Sequence, residues 1–196
     1  MANTMNKFLI TLLMILISFH IRAEEVSCAY PYLGTNVMTV AKSCGEIKKD
    51  DLLIINKEIL PKINWSQYGL ECIAVFNVKD ENKNGWYIVN QTGVGRISSF
   101  WTDNCCAPFR EGMAVGLLDG KVIFYNQVLE IVKRTNYIWA SGFENGYCKV
   151  CLGDLKKEKD KYGDHDIYTG GLCGYINSKF EVVVPLKYPF ENTPKP

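Results

Sequence analysis

Ile123-Phe124-Tyr125-Asn126, followed after a short break by Leu129-Glu130-Ile131-Val132, is the stretch that decides how this chain folds. An apolar run rich in β-branched and aromatic residues ends in Asn, and a second β-prone run begins a few residues later. Such residues suit a pleated, half-buried strand, and Asn tolerates the left-handed backbone of a tight turn. The stretch therefore reads as strand, turn, strand. The same phrase occurs at Ile54-Ile55-Asn56, Tyr87-Ile88-Val89-Asn90 and Gly174-Tyr175-Ile176-Asn177. Its second runs are Ile59-Leu60-Pro61, Val94 to Ile97 and Val182-Val183-Val184-Pro185. The four asparagines lie 34, 36 and 51 residues apart. A unit of about 35 residues thus repeats, with an insertion in the last interval at about residues 153–171. Repetition at this period marks an array of small units that bury their apolar faces against one another.

An aromatic residue follows each Asn: Trp65, Trp101, Trp139 and Tyr188. Their equivalent positions point to a repeated core wedge. A further strand-like run completes the unit, at Glu71-Cys72-Ile73-Ala74-Val75, at Glu111-Gly112-Met113-Ala114-Val115 and at Asn145-Gly146-Tyr147-Cys148-Lys149-Val150. The expected fold is all-β, an array of about four short β-hairpin-type repeats braced by disulfides. Residues 24–50 read as an N-terminal capping segment, 51–192 as the repeat domain and 193–196 as a tail.

Phe109-Arg110-Glu111-Gly112-Met113-Ala114-Val115 with Asp119-Gly120-Lys121 resembles the opening of a WG repeat. Cys173-Gly174-Tyr175-Ile176-Asn177 with Val183-Val184-Pro185 and Tyr188 resembles its second half. The resemblance spans roughly residues 50–192. It departs from the family at the Trp-Gly pair: Gly85-Trp86 has the reverse order, Val122-Ile123 replaces the pair, and Cys173 stands at the Trp position. The resemblance implies a β-rich module common in bacterial proteins, with no general catalytic set.

Residues 1–23 read as a signal peptide. Lys7 precedes an apolar run over residues 8–21, broken only by Thr11, Ser18 and His20, and Ala23 supplies the small residue at the cleavage point. The run is short for a transmembrane span of about 20 apolar residues. All eight cysteines (Cys28, Cys44, Cys72, Cys105, Cys106, Cys148, Cys151 and Cys173) follow it. An even count in an exported chain reads as a disulfide framework. The nearest local pairs are Cys28 with Cys44 and Cys151 with Cys173, and adjacent Cys105 and Cys106 are expected to take partners in different strands. The sequence does not choose among the remaining pairings. The expected compartment is the periplasm, with secretion the other possibility. Loss of residues 1–23 leaves 20 basic and 21 acidic side chains, and this near-neutral total offers no electrostatic case for binding nucleic acid or an anionic membrane.

Catalytic chemistry finds little to work with. His165 is the one histidine beyond the leader, so any histidine-dependent triad has to use it. It sits in the charged insertion, which reads as a solvated loop. The acids there, Asp154, Asp160, Asp164 and Asp166, lack the spacing of a calcium loop. Zinc at Cys148, Cys151 and Cys173 would need a fourth ligand and reduced thiols. No metal and no cofactor is expected. Cys148-Lys149-Val150-Cys151 has the spacing of a thiol–disulfide oxidoreductase, but on a strand, positions three apart point to opposite faces. Trp86, with Tyr87 beside it, follows a polar loop and is the candidate exposed contact. The sequence thus points to a non-enzymatic binding module for another protein or an envelope component. A redox protein using Cys148 and Cys151 is the alternative, and a carbohydrate binder using Trp and Tyr a weaker one. An integral membrane protein is not expected.

Overall fold

A computed structural model describes residues 24–35, 37–98, 101–102, 105–106, 109–163 and 166–196. The leader and His165 lie outside them, as do the side chains of Trp101 and Cys105. Among the described residues the chain is all-β: strands joined by turns and by four short 3-10 turns. Among the described residues no helix is long and apolar enough to cross a membrane.

Six strands close into a barrel, β1 (Glu24–Pro31), β2 (Met38–Lys48), β3 (Leu52–Ile55), β4 (Leu70–Phe76), β5 (Gly85–Asn90) and β6 (Val94–Ile97), in the order β1-β2-β3-β6-β5-β4. Residues 24–50, expected as a cap, supply two of these strands. Alternation explains the closure. Val26, Cys28 and Tyr30 on β1, Ile73 and Val75 on β4, and Tyr87 and Val89 on β5 all face one buried interior. A closed sheet with an apolar interior and no free edge satisfies both its side chains and its backbone.

A two-stranded ribbon, β7 (Trp101–Thr102) and β8 (Cys105–Cys106), leads to a three-stranded sheet of β9 (Met113–Leu118), β10 (Lys121–Asn126) and β11 (Ile131–Arg134). The deciding run of β10 lies here, and it is apolar throughout because both faces are covered. Val122 and Phe124 enter a core shared with the last sheet. Ile123 and Tyr125 enter a second core, shared with Ile88, Leu70 and Val94 on the outside of the barrel. The last sheet holds β12 (Trp139–Glu144), β13 (Tyr147–Lys159), β14 (Asp166–Asn177) and β15 (Val182–Tyr188) in sequential order. The barrel and the middle sheet are also joined by polar contacts. Arg96 donates from Nε to the Leu129 carbonyl at 3.2 Å and from Nη1 to the Asp50 carbonyl at 2.8 Å. Arg134 pairs with Asp50 at 3.1 Å.

The Asn phrase builds the same turn three times. The side-chain oxygen of Asn90 accepts the N–H groups of Thr92 and Val94. Asn126 does so for Val128 and Glu130, and Asn177 for Lys179 and Glu181. The third residue after each Asn is left-handed: Gly93 at φ 86°, Leu129 at 67° and Phe180 at 63°. Each turn joins the second and third strands of a meander: β4-β5-β6, β9-β10-β11 and β13-β14-β15. The first copy departs from the expected four hairpins. Asn56 gives its side-chain N–H to the Ser43 carbonyl at 2.7 Å, the chain runs on into a 3-10 turn, and β3 pairs instead with β6 of the next copy.

Among the described residues three disulfides brace the fold: Cys28–Cys44 inside the barrel, Cys72–Cys106 from β4 to β8, and Cys151–Cys173 across β13 and β14. Most of the insertion at 153–171 is strand, where the sequence reading expected a loop. Leu155↔Gly170 through Lys159↔Asp166 are paired, so it forms the outer half of the β13–β14 hairpin.

Candidate functional site

The β13–β14 hairpin bends where its register slips between Leu152 and Leu155. Gly153, Gly170 and Gly171 cluster at the bend with φ of 73°, 74° and 68°, a conformation that a β-carbon penalises. The bent arm places Leu155 and Tyr168 beside Leu117, Val122, Ile138, Trp139 and Ala140, and these seven residues line an open cleft of about 260 Å³. Trp139 opens β12 opposite Cys151. Its ring lies 5.7 Å from Tyr168 and, edge-on, 4.8 Å from Phe190, and Tyr168 and Phe190 are 5.5 Å apart. Such edge and tilted contacts are favourable for aromatic rings and hold them in one orientation.

The C-terminal 3-10 turn Phe190–Asn192 backs this wall. Glu191 accepts the Gly170 N–H at 3.1 Å, at the hairpin bend. Lys149 sits 3.7 Å from the centre of the Phe190 ring and donates to the Phe190 carbonyl. Burial lowers the Lys149 pKa, and Glu191 partly restores it. These contacts hold the wall in place. Its lining is aliphatic apart from two amphipathic rings, so it offers van der Waals and stacking contact to an apolar group.

The residues singled out from sequence fall elsewhere. Trp86 is half-buried on the outer face of the barrel, opposite Ala74. Tyr87 is not a surface contact: alternation turns it inward, it is fully buried, and its hydroxyl donates to the Lys83 carbonyl at 3.0 Å. Burial, with Asp51 and Asp80 nearby, pushes its pKa up. Trp65 packs on the barrel core as a wedge, its indole N–H donating to the Leu60 carbonyl. Trp139, expected as a core wedge too, instead lines the cleft.

The cysteine pairs read as nearest neighbours, Cys28–Cys44 and Cys151–Cys173, are bonded, and Cys106 reaches Cys72 in a distant strand. Cys148 and Cys151 do not face each other. Cys151 is bonded to Cys173, while Cys148 is a buried thiol whose pKa burial pushes up to about 11. A redox thiol needs the opposite shift and access to solvent. Among the described residues no group of three His, Cys, Asp or Glu gathers to hold a metal. Asp166 is paired with Lys157 and Lys159, each at 2.9 Å.

Tyr168 and Leu155 were hidden in the charged insertion. The signal that marks them is Gly153 with Gly170-Gly171, glycines spaced to bend a hairpin. Comparison with known protein families, curated proteins and solved structures returns no match to this chain.

Proposed function

We propose that this chain is an exported, non-enzymatic β-scaffold that binds an envelope protein partner through the cleft at Trp139 and Tyr168. The observation that carries this reading is the cleft lined by apolar and aromatic side chains, with its braced aromatic wall. A cavity of that volume accommodates one large apolar side chain, and buried aromatic anchors supply most of the energy at protein interfaces. The three meanders with one Asn turn support a WG-like repeat architecture. The three disulfides and the leader sequence support an oxidising, periplasmic location.

The test is selection of a displayed random peptide library against the protein lacking residues 1–23. Enriched peptides are expected to share one aromatic or branched aliphatic residue and to bind at least about tenfold more weakly to Tyr168→Ala and Leu155→Asp, as for loss of an interface anchor. Enrichment that ignores both substitutions would sink the proposal. So would glycan binding that depends on Trp139 without any peptide selection.

A further inference from the structure

The β1–β2 hairpin ends in an apolar tip that the fold holds out to solvent. Leu33, Val37 and Val40 are 55%, 65% and 62% exposed. Monomeric soluble proteins seldom leave such side chains together on a surface without a use. The tip is not loose. The Tyr32 N–H donates to the Val37 carbonyl at 3.1 Å, the Leu33 N–H to the Lys62 carbonyl at 2.8 Å, and the Asn64 N–H to the Pro31 carbonyl at 2.8 Å. Apolar residues continue from the tip along the outer face of the barrel. Val40 faces Ala29, Ala29 faces Ala74, and Ala74 faces Trp86, one row across four strands.

The chain segments that build the tip carry cations and no carboxylate. Residues 26–45 and 59–70 contain no Asp or Glu, and each stretch contributes one lysine, Lys42 and Lys62. Both lysines are exposed, and Lys42 shares the outward face of β2 with Met38 and Val40. The flanking carboxylates are engaged or offset. Glu25 accepts from the Ser43 hydroxyl, Glu46 pairs with Lys48, Glu71 accepts from the Cys72 N–H, and Glu58 adjoins Lys57.

We propose that this end of the barrel docks on an anionic lipid bilayer, Leu33 and Val37 entering the boundary between headgroups and acyl chains and Lys42 and Lys62 meeting lipid phosphates. A bilayer accepts protruding apolar side chains and rewards cations at its surface. The proposal is independent of the cleft, which lies on the other sheets.

Flotation of the protein lacking residues 1–23 with lipid vesicles tests it. Binding is expected to vesicles of phosphatidylcholine mixed with phosphatidylglycerol, to weaken at high salt, and to be slight with phosphatidylcholine alone. Lys42→Gln and Lys62→Gln should each weaken binding about fivefold, and Leu33→Asp with Val37→Asp should abolish it. Tyr168→Ala should leave it unchanged. Circular dichroism melts establish that the variants fold. No flotation with anionic vesicles, or equal flotation of the Leu33→Asp/Val37→Asp protein, overturns the proposal. Lipid-free self-association abolished by the same pair of substitutions also overturns it, assigning the tip to a protein contact.

Discussion

Cys148 lies in the core between the middle and last sheets, against residues such as Val150, Phe143 and Ile176. Burial raises its pKa from 9.0 to about 11, and the Ser141 hydroxyl offsets this only in part. The sign of the consequence follows from linkage. Below pH 9 the thiol is protonated in folded and unfolded chains alike, and it adds nothing to the pH dependence. Between pH 9 and about 11 the unfolded chain releases the proton first, so stability falls as pH rises. A shift of about two pH units amounts to roughly 2–3 kcal/mol by the upper end of that window. Urea unfolding below pH 9 and near pH 11 should therefore show a steeper loss for the native sequence than for Cys148→Ala. Equal slopes would mean that the thiol reaches solvent in the folded protein. The same residue shows how a spacing motif misleads: Cys148-Lys149-Val150-Cys151 has oxidoreductase spacing, but the strand turns Cys148 into the core while Cys151 bonds to its cross-strand neighbour Cys173.

Hairpins in this protein are specified by Asn. At Asn177 the side-chain oxygen accepts two backbone N–H groups, each at 3.0 Å, and its amide donates to Glu181 at 2.8 Å. These bonds hold Phe180 left-handed, and Phe180 then packs 5.1 Å from Phe124 across the sheets. Asn177→Ala removes all three side-chain bonds. Partial replacement by water leaves a cost of about 1–2 kcal/mol, or a fall in Tm of roughly 3–6 °C. A calorimetric scan measures it, and an unchanged Tm would show that the turn is set by β14 and β15 alone. The place of the turn was legible because it is local, confined to five residues, but the left-handed residue is the third after Asn and not the Asn itself, which acts through its side-chain oxygen. The fate of Asn56 was not. Its side chain bonds to Ser43 on a neighbouring strand, a contact that no pattern within 54–61 can announce.

At the scale of the molecule, β9 of the middle sheet packs against β6 of the barrel. A β-carbon on Gly116 would meet the Ile97 carbonyl oxygen at 2.6 Å and the Tyr125 ring at 2.9 Å. Both neighbours are confined, one as backbone and the other as a fully buried ring. Gly116→Ala should therefore destabilise by about 1–3 kcal/mol, the cost of overpacking. Because the middle sheet belongs to two cores, the variant should still unfold in one urea transition, with its midpoint lowered. Two transitions would mean that the barrel and the sheets fold apart.

The sequence by itself determined the strands of the three meanders, their Asn turns and the two short-range disulfides, since propensity, turn chemistry and loop closure act over a few residues. Tertiary structure alone decided that the first copy completes a barrel with the segment read as a cap. It decided that β10 is covered on both faces, that Cys106 finds Cys72, and that a bent hairpin carries Leu155 and Tyr168 beside Trp139. Each of these depends on which distant strand covers which face. A strand's pattern states how many of its faces are buried but carries no record of what buries them.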